Sequence, residues 1–524
     1  MQIRNWLIRV VRVNATKAFH STKQAPPESR VPLGGRGSRR AVESLRVPTS
    51  RLSGSFALPR NVHPTNELSR RCFYVLLIAI ALVTVSSTLT ASEPGWKAGT
   101  AKKIVTPQKP LWMAGYGSRT APSEGTLQEL LVRALALEDS AGHRGIILSS
   151  DLLGIPKAMY DEICAALKKK HGLDRAQILL HASHTHCGPA LERALHDIYP
   201  VNEEQKRDIA EYSAWLTTQI VATIGEAIGN LQPATLSRGV GATDFAVNRR
   251  TNREPDVPKL REQNLLMGPV DHTVPVLAVH TAEGKLKAVV FMYACHNTTL
   301  SFQKWCGDYA GFAQFQLEEK HPGALAMFCM GCGADQNPLP RRTVELCQTY
   351  GKKLADEVDA VLEKPLTPVR PTLEMQHTLM PLVMDPLPAT NQLEKMASEP
   401  PSYTQRWASR LLTDVRNGVT SPREYPFPIQ AWRLGGDLLW ISLGGEVVID
   451  YALRLKAEYG DQIWISAYAN DVMAYIPSKR VLLEGGYEGQ SSMMVYGMPT
   501  ERWSTDVEDR VMQGVEKVVT ALER

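Results

Sequence analysis

The sequence predicts an α/β fold, with mixed β-sheets and packed helices in a single large domain. Two observations carry that prediction. From Trp96 onward, apolar runs of strand length alternate with longer stretches of helical periodicity. The runs are also punctuated as such elements should be, with capping residues before helices and Gly or Pro after them.

Taken in order, residues 145–153 (GIILSSDLL) form a buried strand ending at Asp151. Pro156 falls in the first turn of the next helix, where a missing N–H does no harm, and that helix reaches Lys170 and stops at Gly172. Residues 176–181 (AQILLH) are the following strand. A long helix covers 202–231, with Asn202 and Gln205 spaced as a capping box and Pro233 beyond its end. Residues 288–293 and 324–328 are further strands. The segment 364–430 holds eleven prolines and little periodicity apart from a helix near 394–415, so it reads as a lid or an insertion. A strand at 438–443 leads through Gly444-Gly445 to a helix at 446–458 that stops at Gly460. A strand at 463–469 and an amphipathic helix at 505–522 complete the order, and no internal repeat is visible.

The head of the chain is of another kind. Residues 1–71 carry 14 Lys and Arg against three acids, and 72–91 carry no charge. The remainder from Ser92 is therefore mildly acidic at −6, although the whole chain is +5. A basic excess confined to the head argues against a nucleic-acid partner. Residues 1–66, rich in Arg, Ser and Pro with few aromatics, cannot pack a core. Arg70-Arg71, the apolar run 72–85 and the small polar stretch 86–91 follow the order of a secretory signal with cleavage near Ala91. The run is short for a membrane span, so 72–91 is a signal peptide or, uncleaved, an anchor. Translation is expected to start near Leu68, and the product to be secreted or held in the cell envelope.

Of eight cysteines, seven lie beyond Cys72, an odd number that leaves at least one unpaired. Seven in so long a chain is no disulfide scaffold. Cys329-Met-Gly-Cys332 has CxxC spacing but no second CxxC to complete a zinc ribbon, and reads as small buried packing.

The most specific segment is 179–189, LLHASHTHCGP. An apolar strand runs into His184 and His186, which at i and i+2 in extended backbone project to the same side. Two imidazoles on one side can share a metal ion, or one can ligate while the other handles protons. With 13 histidines in 524 residues, the clustering of His181, His184 and His186 is not chance spacing. Gly188-Pro189 then places the pair on a strand-end loop, where active sites collect. His296 also follows a strand, Glu446 lies between Gly444-Gly445 and a helix start that favours an anion, and Tyr475 and Tyr487 lie in a turn-rich stretch without a clear helix. Singly, each reads as ordinary structure.

As an ordered set, these residues resemble the neutral/alkaline ceramidase family. HTHxGP and the stretch from Tyr475 to Tyr487 (YIPSKRVLLEGGY), continuing into Glu488-Gly489, carry most of the resemblance. Met113-Ala-Gly-Tyr-Gly, LLVRALAL around Ala134, Ser150-Asp151 and Asn248-Arg249 support it. The resemblance runs from about Trp96 to Arg524 and implies a zinc amidase that cleaves the N-acyl bond of ceramide. Carried over, the ligands of one Zn2+ per chain fall on His184, His296, Glu446 and Tyr475. His186, Arg249 and Tyr487 then surround the scissile amide. Such a centre activates a water near neutral pH and stabilises the tetrahedral oxyanion, with His186 and Tyr487 moving protons and Arg249 orienting the substrate. Asp151, Asp308 and Asp335 are candidates to orient the imidazoles from behind. The implied partners are a small-molecule or lipid N-acyl substrate and a membrane surface, with no nucleic acid.

Three departures stand out. Family members usually continue into a C-terminal immunoglobulin-like domain, which is missing after the helix at 505–522, so the resemblance is to the catalytic domain (92–524) only. The family's Ser-Asn-x-Gly-Asp-x-Ser-Pro-Asn region appears as Cys329 to Pro338 without its serines, which argues against serine chemistry there. Cys187 replaces a small hydroxyl residue beside the histidine pair. Two other readings stay open: a binuclear amidohydrolase or phosphoesterase using the HxH pair with Asp151 and Asp335, and a non-catalytic surface protein that keeps the fold.

Overall fold

A computed structural model describes residues 95–195 and 197–523. The basic leader and the apolar segment read as a signal or anchor lie outside the described residues. All described residues fall within one compact unit.

Two mixed sheets form the frame. The strands of the first are β1 (Trp96–Ile104), β2 (Leu131–Glu138), β3 (Arg144–Ser150), β4 (Ile178–Ala182), β5 (Gln232–Ala242), β6 (Thr273–Thr281), β7 (Leu286–Tyr293) and β8 (Leu325–Met330). They lie in the order β8-β7-β6-β5-β1-β2-β3-β4, with Thr367–Val369 pairing off β5. The pairs β3–β4 and β7–β8 at the two ends are parallel and the rest antiparallel. β2 is apolar almost throughout because both of its faces are covered. The one charge within it, before the terminal Glu138, is Arg133, which is fully buried and pairs with the equally buried Asp151 at 3.0 Å.

The second sheet holds β9 (Leu373–Val383), β10 (Glu424–Leu434), β11 (Leu438–Leu443) and β12 (Trp464–Ser466), in that order. The first sheet curls until Ser149 Oγ on β3 donates to Phe328 O on β8 at 2.6 Å. The chain after β12 closes the remaining gap: Ala467 N donates to Met330 O, and Ala182 N to Tyr468 O. Inside the curl, Trp432, Trp440 and Trp464 of the second sheet pack edge to face, in a core shared with Leu135, Ile147, Val279 and Val290 of the first.

Helices cover the outer faces. α1 (Lys157–His171) starts one residue later than the sequence suggests, with Pro156 as its extended N-cap, and ends at Gly172 in the left-handed region. α2 (Glu203–Gly229) opens on the expected capping box, Asn202 accepting from Gln205 N and Gln205 Oε1 from Asn202 N, an arrangement worth about 1 kcal/mol. α3 (Asp308–Lys320) and α4 (Val344–Leu362) follow on the same side of the chain order. Among the described residues no helix is long and apolar enough to cross a membrane.

Two expectations need correction. The segment 364–430 is not a featureless insertion: it supplies Thr367–Val369, all of β9, the first part of β10 and a helical pair, α5 (Thr390–Ala397) and α6 (Tyr403–Arg416). Its prolines obscured the strands because Pro381, Pro426 and Pro428 stand within the paired β9–β10 register. The helix expected at 446–458 begins later, as α7 (Ile449–Tyr459). Glu446 instead belongs to a two-residue strand, Glu446–Val447, paired in parallel with Tyr475–Ile476. The carboxylate at the α7 N-terminus is Asp335, whose Oδ1 accepts from Ile449 N at 3.0 Å.

Candidate metal centre

The histidine pair follows β4. Ser183 N still donates to Ser150 O, but His184 has φ +59° and leaves the strand path. The extended i, i+2 alternation expected of the pair is therefore not what joins them. The left-handed residue folds the loop back so that His186 Nε2 comes within 3.1 Å of His184 Nε2. Such a φ is unfavourable for a histidine and persists only because its surroundings hold it. His184 Nδ1 donates to Leu153 O at 2.6 Å, and its ring packs 4.5 Å from that of Tyr468. On the other side, Gly115 at φ +97° lies so close to His186 that a Cβ there would stand 2.3 Å from His186 Nδ1.

His296 follows β7, which places it at the carboxyl end of a parallel pair, as β4 places His184. Its N donates to Gln336 O, and its Nδ1 to Gly333 O at 2.8 Å. Glu446 arrives from β11 through Gly444-Gly445. Gly445 has φ +69°, and a Cβ there would come within 2.8 Å of Ala474 O, so the turn requires glycine. Glu446 Oε2 lies 3.2 Å from both His184 Nε2 and His296 Nε2. Tyr475, across the two-residue ladder, sets its hydroxyl 3.2 Å from His296 Nε2. His184, His296, Glu446 and Tyr475 are all buried.

The protonation pattern defines the chemistry. With Nδ1 of His184 and His296 donating to carbonyls, both Nε2 atoms are bare lone pairs aimed at a carboxylate. Burial, and then the Arg249 charge, hold His296 down at about 4. Burial, and then His184 and His296, lower His186 well below its ordinary value. Burial would raise the Glu446 carboxyl, but positive charge at the Nε2 side of His184 and His296, whether a proton or a bound cation, outweighs it and keeps Glu446 well below the usual range. Lone pairs and a negative charge thus converge on one point, which calls for a cation. His184, His186 and His296 offer nitrogens within 4.8 Å of one another. Zinc bonds of about 2.0–2.1 Å at tetrahedral angles put neighbouring ligand atoms about 3.3 Å apart, close to the 3.1–3.2 Å separations found here. The residues fit the metal.

The other expected residues border this cluster. Arg249 donates from Nη2 to the Tyr475 hydroxyl at 3.2 Å and from Nε to Glu488 at 2.7 Å, with its cation over the rings of Tyr475 and Tyr487. Tyr487 borders the cluster on its solvent side, partly exposed, its ring 5.2 Å from that of Tyr475.

The three aspartates do not reach the imidazoles. Asp151 is taken by Arg133, Leu131 N and Gln314. Asp308 accepts from the backbone of Thr299 and Leu300, and Asp335 from Ile449 N and Asn248 Nδ2. They brace the loops that carry the ligands, while backbone carbonyls orient the rings. For the same reason Asp151 and Asp335 do not complete a two-metal set with the HxH pair. Cys329 and Cys332 are free and fully buried, in keeping with packing.

Two residues of the cluster carried no sequence signal. Tyr496 donates its hydroxyl to Glu446 Oε1, and Tyr468 donates to Glu446 Oε2 at 3.3 Å. Each stands in a stretch where a tyrosine is unremarkable packing; only the fold brings them to the carboxylate.

Comparison with known proteins follows the same line. Residues 96–339 match the family described as neutral/alkaline non-lysosomal ceramidase, N-terminal. The neutral ceramidase of Pseudomonas aeruginosa is 25% identical over 286 residues, which are 52% of this chain and 41% of that protein. Neutral ceramidase B of Dictyostelium discoideum is 25% identical over 221 residues, 40% of this chain and 30% of that protein. The chain thus spans less than half the length of these curated relatives. The crystal structure of the Pseudomonas aeruginosa neutral ceramidase superposes with a TM-score of 0.63 at 18% identity, covering 83% of this chain and 75% of that one. A structure of a ceramidase complexed with C2 gives 0.63 at 17% identity, covering 82% and 76%. These likenesses show a shared fold.

Proposed function

We propose that this chain, which over residues 96–339 belongs to the neutral/alkaline ceramidase family, is a zinc-dependent amidase cleaving the N-acyl bond of ceramide or of another N-acylated substrate. The observation that carries the reading is the convergence of two backbone-oriented imidazoles, one ionised carboxylate and one phenol at spacings that suit a four-coordinate ion.

His184, His296, Glu446 and Tyr475 hold the metal, one per chain. The chemistry supplied by the bound ion is that of a Lewis acid, which makes a water acidic near neutral pH and polarises the amide carbonyl. His186 is assigned to proton transfer for a specific reason: its Nδ1 is buried without a partner, so no backbone acceptor fixes its tautomer as in His184 and His296. Neutral at working pH, it can accept a proton from the attacking water and pass it to the leaving amine. Arg249, pinned by Glu488 and Asn337, offers a fixed cation beside Tyr475 for the substrate oxygen. Tyr487, partly exposed beside Tyr475, donates a proton or a hydrogen bond to the amide.

The test uses zinc-loaded protein on short- and long-chain N-acyl amides. One zinc per chain with amide turnover is expected, and both should be lost in His184→Ala; full activity in that variant would overturn the assignment. The reading includes export, with the segment at 68–91 acting as a signal peptide. N-terminal sequencing of the mature protein checks this, and a start before Asn66 refutes it.

A further inference from the structure

His184 and His296 are aimed by their own rings, each donating Nδ1 to a backbone carbonyl. His186 is not: its Nδ1 is buried without a partner, so its ring is aimed from the main chain. The peptide plane between His186 and Cys187 is held at both ends. His186 O accepts from Arg119 Nη2 at 2.6 Å, and Cys187 N donates to Thr185 Oγ1 at 3.1 Å. A planar peptide fastened at its oxygen and its N–H resists turning about the bonds that flank it, which fixes the direction of the His186 side chain. Thr185 Oγ1 is itself anchored, donating to Cys306 O at 2.7 Å, and Cys306 N donates to Cys187 O at 3.2 Å.

Arg119 is the unusual member of this set. It is 5% exposed, yet among the described residues it meets no carboxylate. Its Nη1 donates to Phe302 O at 3.1 Å and to Gln303 Oε1 and lies 3.7 Å from Met113 Sδ, while its Nε is buried without a partner. Arg133 is the contrast, fully buried between Asp151 and Glu318. Burying a guanidinium against neutral oxygens alone is costly, so packing is a poor account of Arg119. Its cation also stands 5.3 Å from the centre of the Tyr116 ring, and that ring lies 4.7 Å from the His186 imidazole. The Tyr116 hydroxyl donates to Leu300 O at 2.9 Å, which holds the ring in place. Arg119 thus reaches His186 by two routes, through the carbonyl and through Tyr116.

We propose that Arg119 is a positioning residue for His186, keeping the imidazole at 3.1 Å from His184 Nε2, where it can carry a proton from the attacking water to the leaving amine. The proton-transfer element of this inference rests on the amidase reading; the positioning element does not. Arg119 makes no hydrogen bond to His184, His296, Glu446 or Tyr475. Its loss therefore acts on proton transfer and leaves metal and substrate binding alone.

The experiment compares zinc-loaded wild type with Arg119→Met, Arg119→Lys, His186→Ala and the double variant Arg119→Met with His186→Ala, on a water-soluble short-chain N-acyl amide. Arg119→Met should lose about 10- to 100-fold in kcat, with KM within about twofold of wild type and zinc stoichiometry unchanged. Arg119→Lys, a point charge that can still reach one acceptor, should recover part of that loss. In the His186→Ala background the Arg119→Met change should cost nothing further, because the residue it aims is gone. A crystal structure of Arg119→Met should show the separation of His186 Nε2 and His184 Nε2 lengthened by about 1 Å or more. Thr185→Val releases the other end of the same peptide plane and should reproduce the kcat loss and the displacement, with Thr185→Ser restoring both; it decides the matter if Arg119→Met does not fold. An unmoved imidazole, a loss that falls on KM or on zinc, or a full additional loss in the His186→Ala background overturns the proposal. A wild type that binds zinc but cleaves no amide would sink the amidase reading and leave the crystal structure to decide the positioning.

Discussion

Tyr496→Phe removes one oxygen atom and, on this geometry, loosens the metal. Glu446 divides its two oxygens: Oε2 faces His184, His296 and the Tyr468 hydroxyl, while Oε1 accepts from Tyr496. The carboxylate is 2% exposed, so no bulk water replaces the lost hydroxyl. A hydrogen bond to a buried charged group is worth about 1.5–3 kcal/mol. That matches the 10- to 100-fold loss of metal affinity usual when a group that orients a ligand is removed, since about 1.4 kcal/mol is tenfold. Chelator-competition titration should therefore show zinc binding weakened about 10- to 100-fold. Tyr212→Phe is the control, because Tyr212 also buries a hydroxyl on a protein acceptor, Val105 O, without touching the cluster. It should leave zinc affinity unchanged. Zinc binding in Tyr496→Phe within twofold of wild type would show that Glu446 is held by its strand alone, and the orienting role would fall.

Three further outcomes are expected. Gly115→Ala forces a Cβ to within 2.3 Å of His186 Nδ1 at φ +97°, so turnover should fall by about 100-fold or more with one zinc per chain retained, measured by kcat and elemental analysis. Asp151→Ala takes one of two carboxylate partners from the buried Arg133, leaving Glu318 Oε1 at 3.3 Å from its Nε, and should cost about 3 kcal/mol in urea denaturation. Replacing both together, Arg133→Met with Asp151→Leu, should cost less. Burial raises the Asp471 carboxyl to about 7 against an unfolded value of about 3.9, so the native state binds the extra proton between those values. Its stabilisation is complete below pH ~4 and lost as pH rises towards 7. Asp471→Asn, which can still accept from Tyr425, should flatten that part of the stability–pH curve in thermal melts, and an unaltered curve would contradict the buried carboxyl.

Legibility in the sequence followed the range of the forces involved. The capping box at Asn202 and Gln205 and the stop at Gly172 were readable because a local backbone need selects a residue type at fixed spacing. β9 and β10 were not, since their pairing is made across the chain and their prolines mimic a loop. The site divides in the same way. His184 and His186 announced themselves by spacing, yet the reason first given for their meeting fails: extended alternation does not bring them together, and a left-handed His184 does. Spacing marks that two residues are neighbours, whereas the dihedral that aims them is set by what surrounds the loop, here Leu153 O, the Tyr468 ring and the bare face of Gly115. Tyr468 and Tyr496 lie at the far end of that argument. A phenol on a buried carboxylate looks like any packing aromatic until Gly444-Gly445 turns Glu446 towards it. A sequence reading finds ligands by type and misses the groups that aim them, because backbone carbonyls and buried hydroxyls are present everywhere along a chain and become specific only where the fold points them at one atom.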